Sequence, residues 1–176
     1  VLETYLRRRL YAWEHFPGDM VVVPYYPIPR AYHSTGIGFS IQEDILAIDE
    51  ANNIVSHAYQ DQLQTDDDLE KLHPPVITLD PEADERNVTL AQELLGDILP
   101  VRLMGLHMHH SPWDTIAMLR GVNPLLTDLV DRPDFTHRMI EKFTQIGLAE
   151  LRQYEELGLL DPEEPLIHCT PSYTSE

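Results

Sequence analysis

Leu99-Pro100-Val101-Arg102-Leu103-Met104-Gly105-Leu106 runs into His107-Met108-His109-His110 and then Ser111-Pro112-Trp113-Asp114. Residues 99–106 are mostly apolar and read as a buried strand. Ser111 then offers a helix N-cap, Pro112 stands at the first helical position and Asp114 puts an acid in the first turn. A strand that runs through a short polar connection into a capped helix is the basic step of an α/β fold.

The chain on either side repeats that step. Residues 1–16 carry Leu2, Leu6, Leu10 and Trp13 at helical spacing, and Phe16-Pro17-Gly18-Asp19 stops the helix. Met20-Val21-Val22-Val23 reads as a first buried strand, and Tyr25 to Gly38 as a loop rich in Pro and Gly. Residues 39–73 are polar, and Asp66-Asp67-Asp68 reads as the acidic start of a short helix ending near His73 rather than a metal site. Residues 82–95 predict an amphipathic helix with Ala83, Val88, Ala91, Leu94 and Leu95 inward, ended by Gly96-Asp97.

Downstream, Asp131-Arg132-Pro133-Asp134 opens a long helix to about residue 157, with Phe135, Met139, Phe143, Ile146 and Leu157 inward and Gly158 just past its end. Leu166-Ile167-His168-Cys169 is the third strand candidate. This order predicts parallel strands joined by right-handed crossover helices. No Gly-x-Gly-x-x-Gly follows the first strand and no P-loop occurs, which disfavours the dinucleotide-binding and P-loop folds. A (β/α)8 barrel needs neither, but it takes about 250 residues. Three strands do not close a barrel, so on this reading residues 1–176 are one partial domain, incomplete at the C-terminal side.

Composition sets further bounds. The 176 residues are 43% hydrophobic and 24% charged, the balance of a folded chain. Twelve Lys and Arg stand against 30 Asp and Glu, a net charge of −18, which argues against nucleic acid and anionic lipid as partners. The single cysteine, Cys169, excludes an internal disulfide and a cysteine-only zinc site, and fits a cytoplasmic location. No apolar run reaches the length of about 18 residues that a membrane helix needs. The chain starts at Val1 without a signal-peptide pattern and stops soon after the third strand candidate, so both ends read as cut.

Polar and aromatic residues gather after each strand candidate, where active sites of parallel α/β folds sit. Tyr25, Arg30, Tyr32 and His33 follow the first, and Trp113 follows the second; these are the candidate substrate-binding residues. Arg30 would hold a substrate carboxylate in a bidentate pair, or else pair with one of the chain's many acids. His107 and His109 share a face if the strand continues, either as ligands of one cation or as neutral pocket groups, and are the candidate catalytic residues. His168 and Cys169 are the candidate metal ligands, although neighbours on a strand face opposite ways and a lone Cys is commonly buried and inert. Asp114 is read as a helix-start residue rather than a general acid.

Leu103-Met104-Gly105-Leu106, Ser111-Pro112-Trp113-Asp114-Thr115-Ile116-Ala117, Leu119-Arg120-Gly121, Asp131-Arg132-Pro133-Asp134-Phe135 and Glu155-Glu156-Leu157-Gly158 together resemble the uroporphyrinogen decarboxylase superfamily over residues 99–160. The resemblance implies a (β/α)8 barrel and one of two chemistries. The decarboxylases need no cofactor and carry Arg-Gln-Ala-Gly-Arg-Tyr after the first strand, where this chain has Ile28-Pro29-Arg30-Ala31-Tyr32. The methyltransferases bind zinc through His-x-Cys and a later Cys and act with a corrinoid-carrying partner protein; here His168-Cys169 stands without the spacer. The resemblance therefore implies methyl transfer between a small methylated substrate and a corrinoid protein. Its alternatives are decarboxylation of uroporphyrinogen and a non-catalytic binding fragment, whose open sheet edge would favour a homo-oligomer.

Overall fold

The computed structural model describes residues 2–16, 22–46, 55–106 and 110–161. In chain order the elements are α1 (Leu2–His15), β1 (Tyr26–Pro29), β2 (Tyr32–Ser34), β3 (Glu43–Leu46), β4 (Ser56–Tyr59), α2 (Asp66–Lys71), β5 (Ile77–Leu79), α3 (Pro81–Leu95), β6 (Val101–Met104), α4 (Pro112–Arg120), α5 (Val122–Asp131) and α6 (Pro133–Glu156). Chain contacts divide them into two compact units, one drawn from Val1–Ala31, Asp80–His107 and Gly158–Glu176, the other from Tyr32–Leu79 and Met108–Leu157.

In the first unit β1 and β6 pair in parallel, Tyr26 opposite Val101 through Pro29 opposite Met104. The prolines of β1 alternate with its donors. Tyr26 N–H reaches Pro100 O at 2.7 Å and Arg30 N–H reaches Met104 O at 3.0 Å, so Pro27 and Pro29 fall on the side that needs no donor. A strand built this way pairs along one side only. Helix α3 starts on Asp80, whose carboxylate accepts the Ala83 N–H at 2.9 Å, with Pro81 at its first position, and packs on β6. Beyond β6, Leu106 makes a parallel bridge to Leu160. Ile28, Ala91, Met104 and Leu159 are buried.

The second unit holds two antiparallel pairs. Tyr32 to Ser34 lies opposite Leu79 to Ile77, and Glu43 to Leu46 opposite Tyr59 to Ser56. Its core is helical: Leu69 of α2, Ile116 and Leu119 of α4, Leu125 of α5 and Phe135, Met139, Phe143 and Ile146 of α6 cluster with Leu63 and Leu72. The α6 residues recur at intervals of three and four, the stripe that an amphipathic helix buries. Gly121, at φ +82°, separates α4 from α5, and Gly158, at φ +61°, follows α6. Both conformations favour glycine, which lacks the Cβ that strains them.

The barrel expectation is overturned. The described strands form three separate pairs, two of them antiparallel, instead of a growing parallel sheet. The first strand expected at Met20–Val23 is also corrected. Val22 and Val23 lie outside any strand and Val22 is exposed, whereas Met20 and Val21 lie outside the described residues. The strand forms instead at Tyr26–Pro29, inside the stretch expected to be a loop. The reason is steric and local: β1 tolerates its prolines because only one edge is bonded, and the short, half-polar Tyr32-His33-Ser34 segment suits a one-faced antiparallel pair. The expected strand at 166–169 lies outside the described residues.

Candidate functional site

The first unit carries two Arg–Asp pairs along its parallel strands. Arg30 leaves β1 directly and donates from Nη1 to the Gly158 carbonyl at 2.8 Å. Asp84, in the first turn of α3, faces it with Oδ2 3.6 Å from Arg30 Nε. That carboxylate is fixed from its other oxygen by the Ala31 N–H at 2.6 Å, and only 9% of the Asp84 side chain is exposed. Arg30 Nε is itself buried and has no hydrogen-bond acceptor. The salt bridge anticipated as one alternative for Arg30 is therefore present, and the guanidinium keeps donor capacity beyond it.

A second pair involves the neighbouring strand, β6. Arg102 of β6 sets its guanidinium 5.2 Å from the Tyr25 ring centre and places Nη2 3.5 Å from Asp161 Oδ1. Asp161 follows the Leu160 bridge and accepts the Gly105 N–H at 3.2 Å through Oδ2. Two Arg–Asp pairs thus stand on the parallel strand pair, both carboxylates nearly buried and both tied to backbone N–H groups.

Of the expected substrate-binding residues, Tyr25 and Arg30 belong to this unit, and Tyr32, His33 and Trp113 to the other. Tyr32 packs edge-on against Tyr154, with ring centres 5.9 Å apart. His33 is exposed on β2, opposite Thr78. Trp113 lies in the first turn of α4, 44% exposed. His107, His109, His168 and Cys169 lie outside the described residues. Asp84, Arg102 and Asp161 went unnoticed in the sequence. Asp84 had a signal: it falls on the α3 stripe that continues through Val88, Ala91 and Leu95, so an acid occupies a core-facing position. A buried acid needs a partner, and Arg30 is that partner.

Protein-family models, curated proteins and solved structures give no match to this chain. Among the described residues, no group of three or more His, Cys, Asp or Glu side chains gathers as a metal site, and no helix is long and apolar enough to cross a membrane.

Proposed function

We propose that the protein is a cytoplasmic enzyme related to the uroporphyrinogen decarboxylase superfamily. Its reaction is methyl transfer between a small methylated substrate and a corrinoid carried by a partner protein. The observation that carries the binding half of this reading is Arg30, held at the end of β1 by Asp84 and the Gly158 carbonyl with 26% of its side chain exposed. The reaction half rests on the resemblance over residues 99–160. Its order of a strand, a Pro-aromatic helix start and a Pro-acid-aromatic helix start is matched locally by β6, α4 and α6.

In the reaction the bond between methyl group and heteroatom breaks. The heteroatom keeps the bonding pair and takes up a proton, and the corrinoid cobalt supplies both electrons of the new bond to carbon. Arg30 anchors an anionic group of the substrate, and Tyr25 beside Arg102 walls the same unit. His107 and His109, next in sequence after β6 and Gly105-Leu106, are the proton donors of this reading. Zinc, when bound, would polarise the heteroatom; His168 and Cys169 are the ligands the resemblance implies, and the described residues add no further set.

The test supplies the protein with reduced cobalamin and a panel of O-, N- and S-methyl compounds, and follows methylcobalamin formation by its absorbance. Turnover with one class of compound is expected, with Arg30→Met raising KM more than it lowers kcat. No methylcobalamin from any compound would sink the proposal, and carbon dioxide released from uroporphyrinogen would replace it with decarboxylation.

A further inference from the structure

A cleft of about 300 Å³ in the second unit lies outside the site described above. It is bounded by the start of α4 and by one face of α6, and its polar groups are His110, Ser111, Asp114, Thr115 and Glu150. Phe143 and Ile146 give it an apolar wall. That size and mixture, an apolar wall with few polar groups, suits a small ligand.

The hydrogen-bond inventory selects the ligand's chemistry. Ser111 donates its hydroxyl proton to Asp114 Oδ2 in a short contact. The buried Tyr154 donates its hydroxyl to Glu150 Oε1 at 2.8 Å. Burial, and then the Glu150 carboxylate, push this phenol well above its usual range, so it stays a donor. Each carboxylate is thus oriented by a neighbouring hydroxyl and keeps one oxygen beyond that bond. Carboxylate oxygens only accept, and no Lys or Arg stands among the described lining residues. A ligand that answers this lining brings N–H donors and a positive charge, with a short hydrocarbon part for Phe143 and Ile146.

Gly147 makes the arrangement sterically possible. It sits on α6 one turn before Glu150, and a Cβ built there would collide with Cε1 of the His110 ring and reach its Nδ1 at 2.8 Å. The absent side chain is the space that the imidazole fills in the cleft wall. Replacing Gly147 by Ala drives the exposed ring out of its place, and α6 tolerates Ala well.

We propose that this cleft binds a small alkylammonium ion between Asp114 and Glu150. The proposal does not depend on the methyl-transfer reading. The experiment is calorimetric titration of the protein with n-butylammonium chloride, with sodium butyrate and n-butanol as controls. Saturable one-site binding of the ammonium alone is expected. Glu150→Gln should weaken it by about tenfold or more, as expected for one charge-assisted hydrogen bond. Gly147→Ala should weaken it through His110 while the thermal melt stays cooperative. Butyrate or butanol binding as tightly as the ammonium would overturn the proposal. So would an ammonium affinity that both folded variants leave unchanged, or no saturation with the unaltered protein.

Discussion

Asp68 anchors the start of α2 with more partners than its position in an acidic run suggests. Its Oδ2 accepts from the backbone N–H of Thr65 at 3.0 Å and of Gln64 at 3.1 Å, and from the Thr65 hydroxyl at 2.9 Å. Lys71 donates to Oδ1 at 2.7 Å. The Lys71 hydrogen bond first, and those from Thr65 next, hold the carboxyl at about 2, below its ordinary 3.8. A carboxyl depressed by folding stabilises the native state above its unfolded pKa, and that contribution fades as pH falls through the folded one. Asp68→Asn should therefore cost about 1 kcal/mol at pH 7, typical of a lost cap. The gap to the unaltered protein should narrow between about pH 4 and pH 2. Urea titrations across that range check this, and a gap independent of pH would reject it. This part of the chain was legible: three acids before an apolar residue signal a helix start, and Asp66, Asp67 and Asp68 fill the first turn of α2. Asp84 was not legible in the same way, because the sequence shows an acid in a helix but not which partner makes its burial tolerable.

Helices α4 and α5 are tied by one buried cation. Arg120, the last residue of α4, donates from Nε to Asp128 Oδ2 of α5 at 2.8 Å and from Nη1 to Asp61 in a shorter contact. Burial would lower this guanidinium's pKa; the hydrogen bonds it donates to Asp128 and Asp61 outweigh it and raise the value, so the charge stays. Only 9% of the Arg120 side chain and 4% of the Asp128 side chain are exposed. Removing one member of such a pair strands the other without water. Asp128→Ala is expected to cost about 3–5 kcal/mol in urea unfolding, whereas replacing the whole cluster, Arg120→Met with Asp128→Leu and Asp61→Leu, should recover most of that loss. A single variant costing less than about 1 kcal/mol would mean the pair is solvated in solution. At this scale most helices and the β6 strand were readable; α5 and the other described strands were not. Caps and breakers such as Ser111-Pro112, Pro133 and Gly158 act within one turn, so the sequence carries them locally. Strand pairing is decided by distant partners. Tyr26-Pro27-Ile28-Pro29 looks like a loop until β6 supplies the single edge that its donors face.

Across the whole chain, stability is unevenly distributed. The ten-residue cluster centred on α4 and α6 lies wholly in the second unit, and Ile116, Leu119 and Met139 within it are at most 1% exposed. By contrast α1 buries no residue, and Leu10, Trp13 and Phe16 are 61%, 60% and 67% exposed. A helix of 14 residues is near the lower limit for holding itself in water, and the contacts that support α1 are exposed or local: the Arg7–Glu3 pair at 2.8 Å, Arg9 over the Tyr5 ring, Tyr11 against His15 and Phe16, and the edge-on contact of Tyr5 with Tyr26. Local opening free energy follows buried apolar contact. Amide hydrogen exchange should therefore run fastest in α1 and slowest in the middle of α6 and in α4, by several decades in rate. The heptad-like spacing of Leu2, Leu6, Leu10 and Trp13 foretold the helix correctly but said nothing of what would cover its apolar side. Exchange in α1 as slow as in α6 would contradict this ordering and would show that those side chains are covered in solution. Repeating the exchange at several protein concentrations separates the causes, since protection by self-association fades on dilution and protection from within the chain does not.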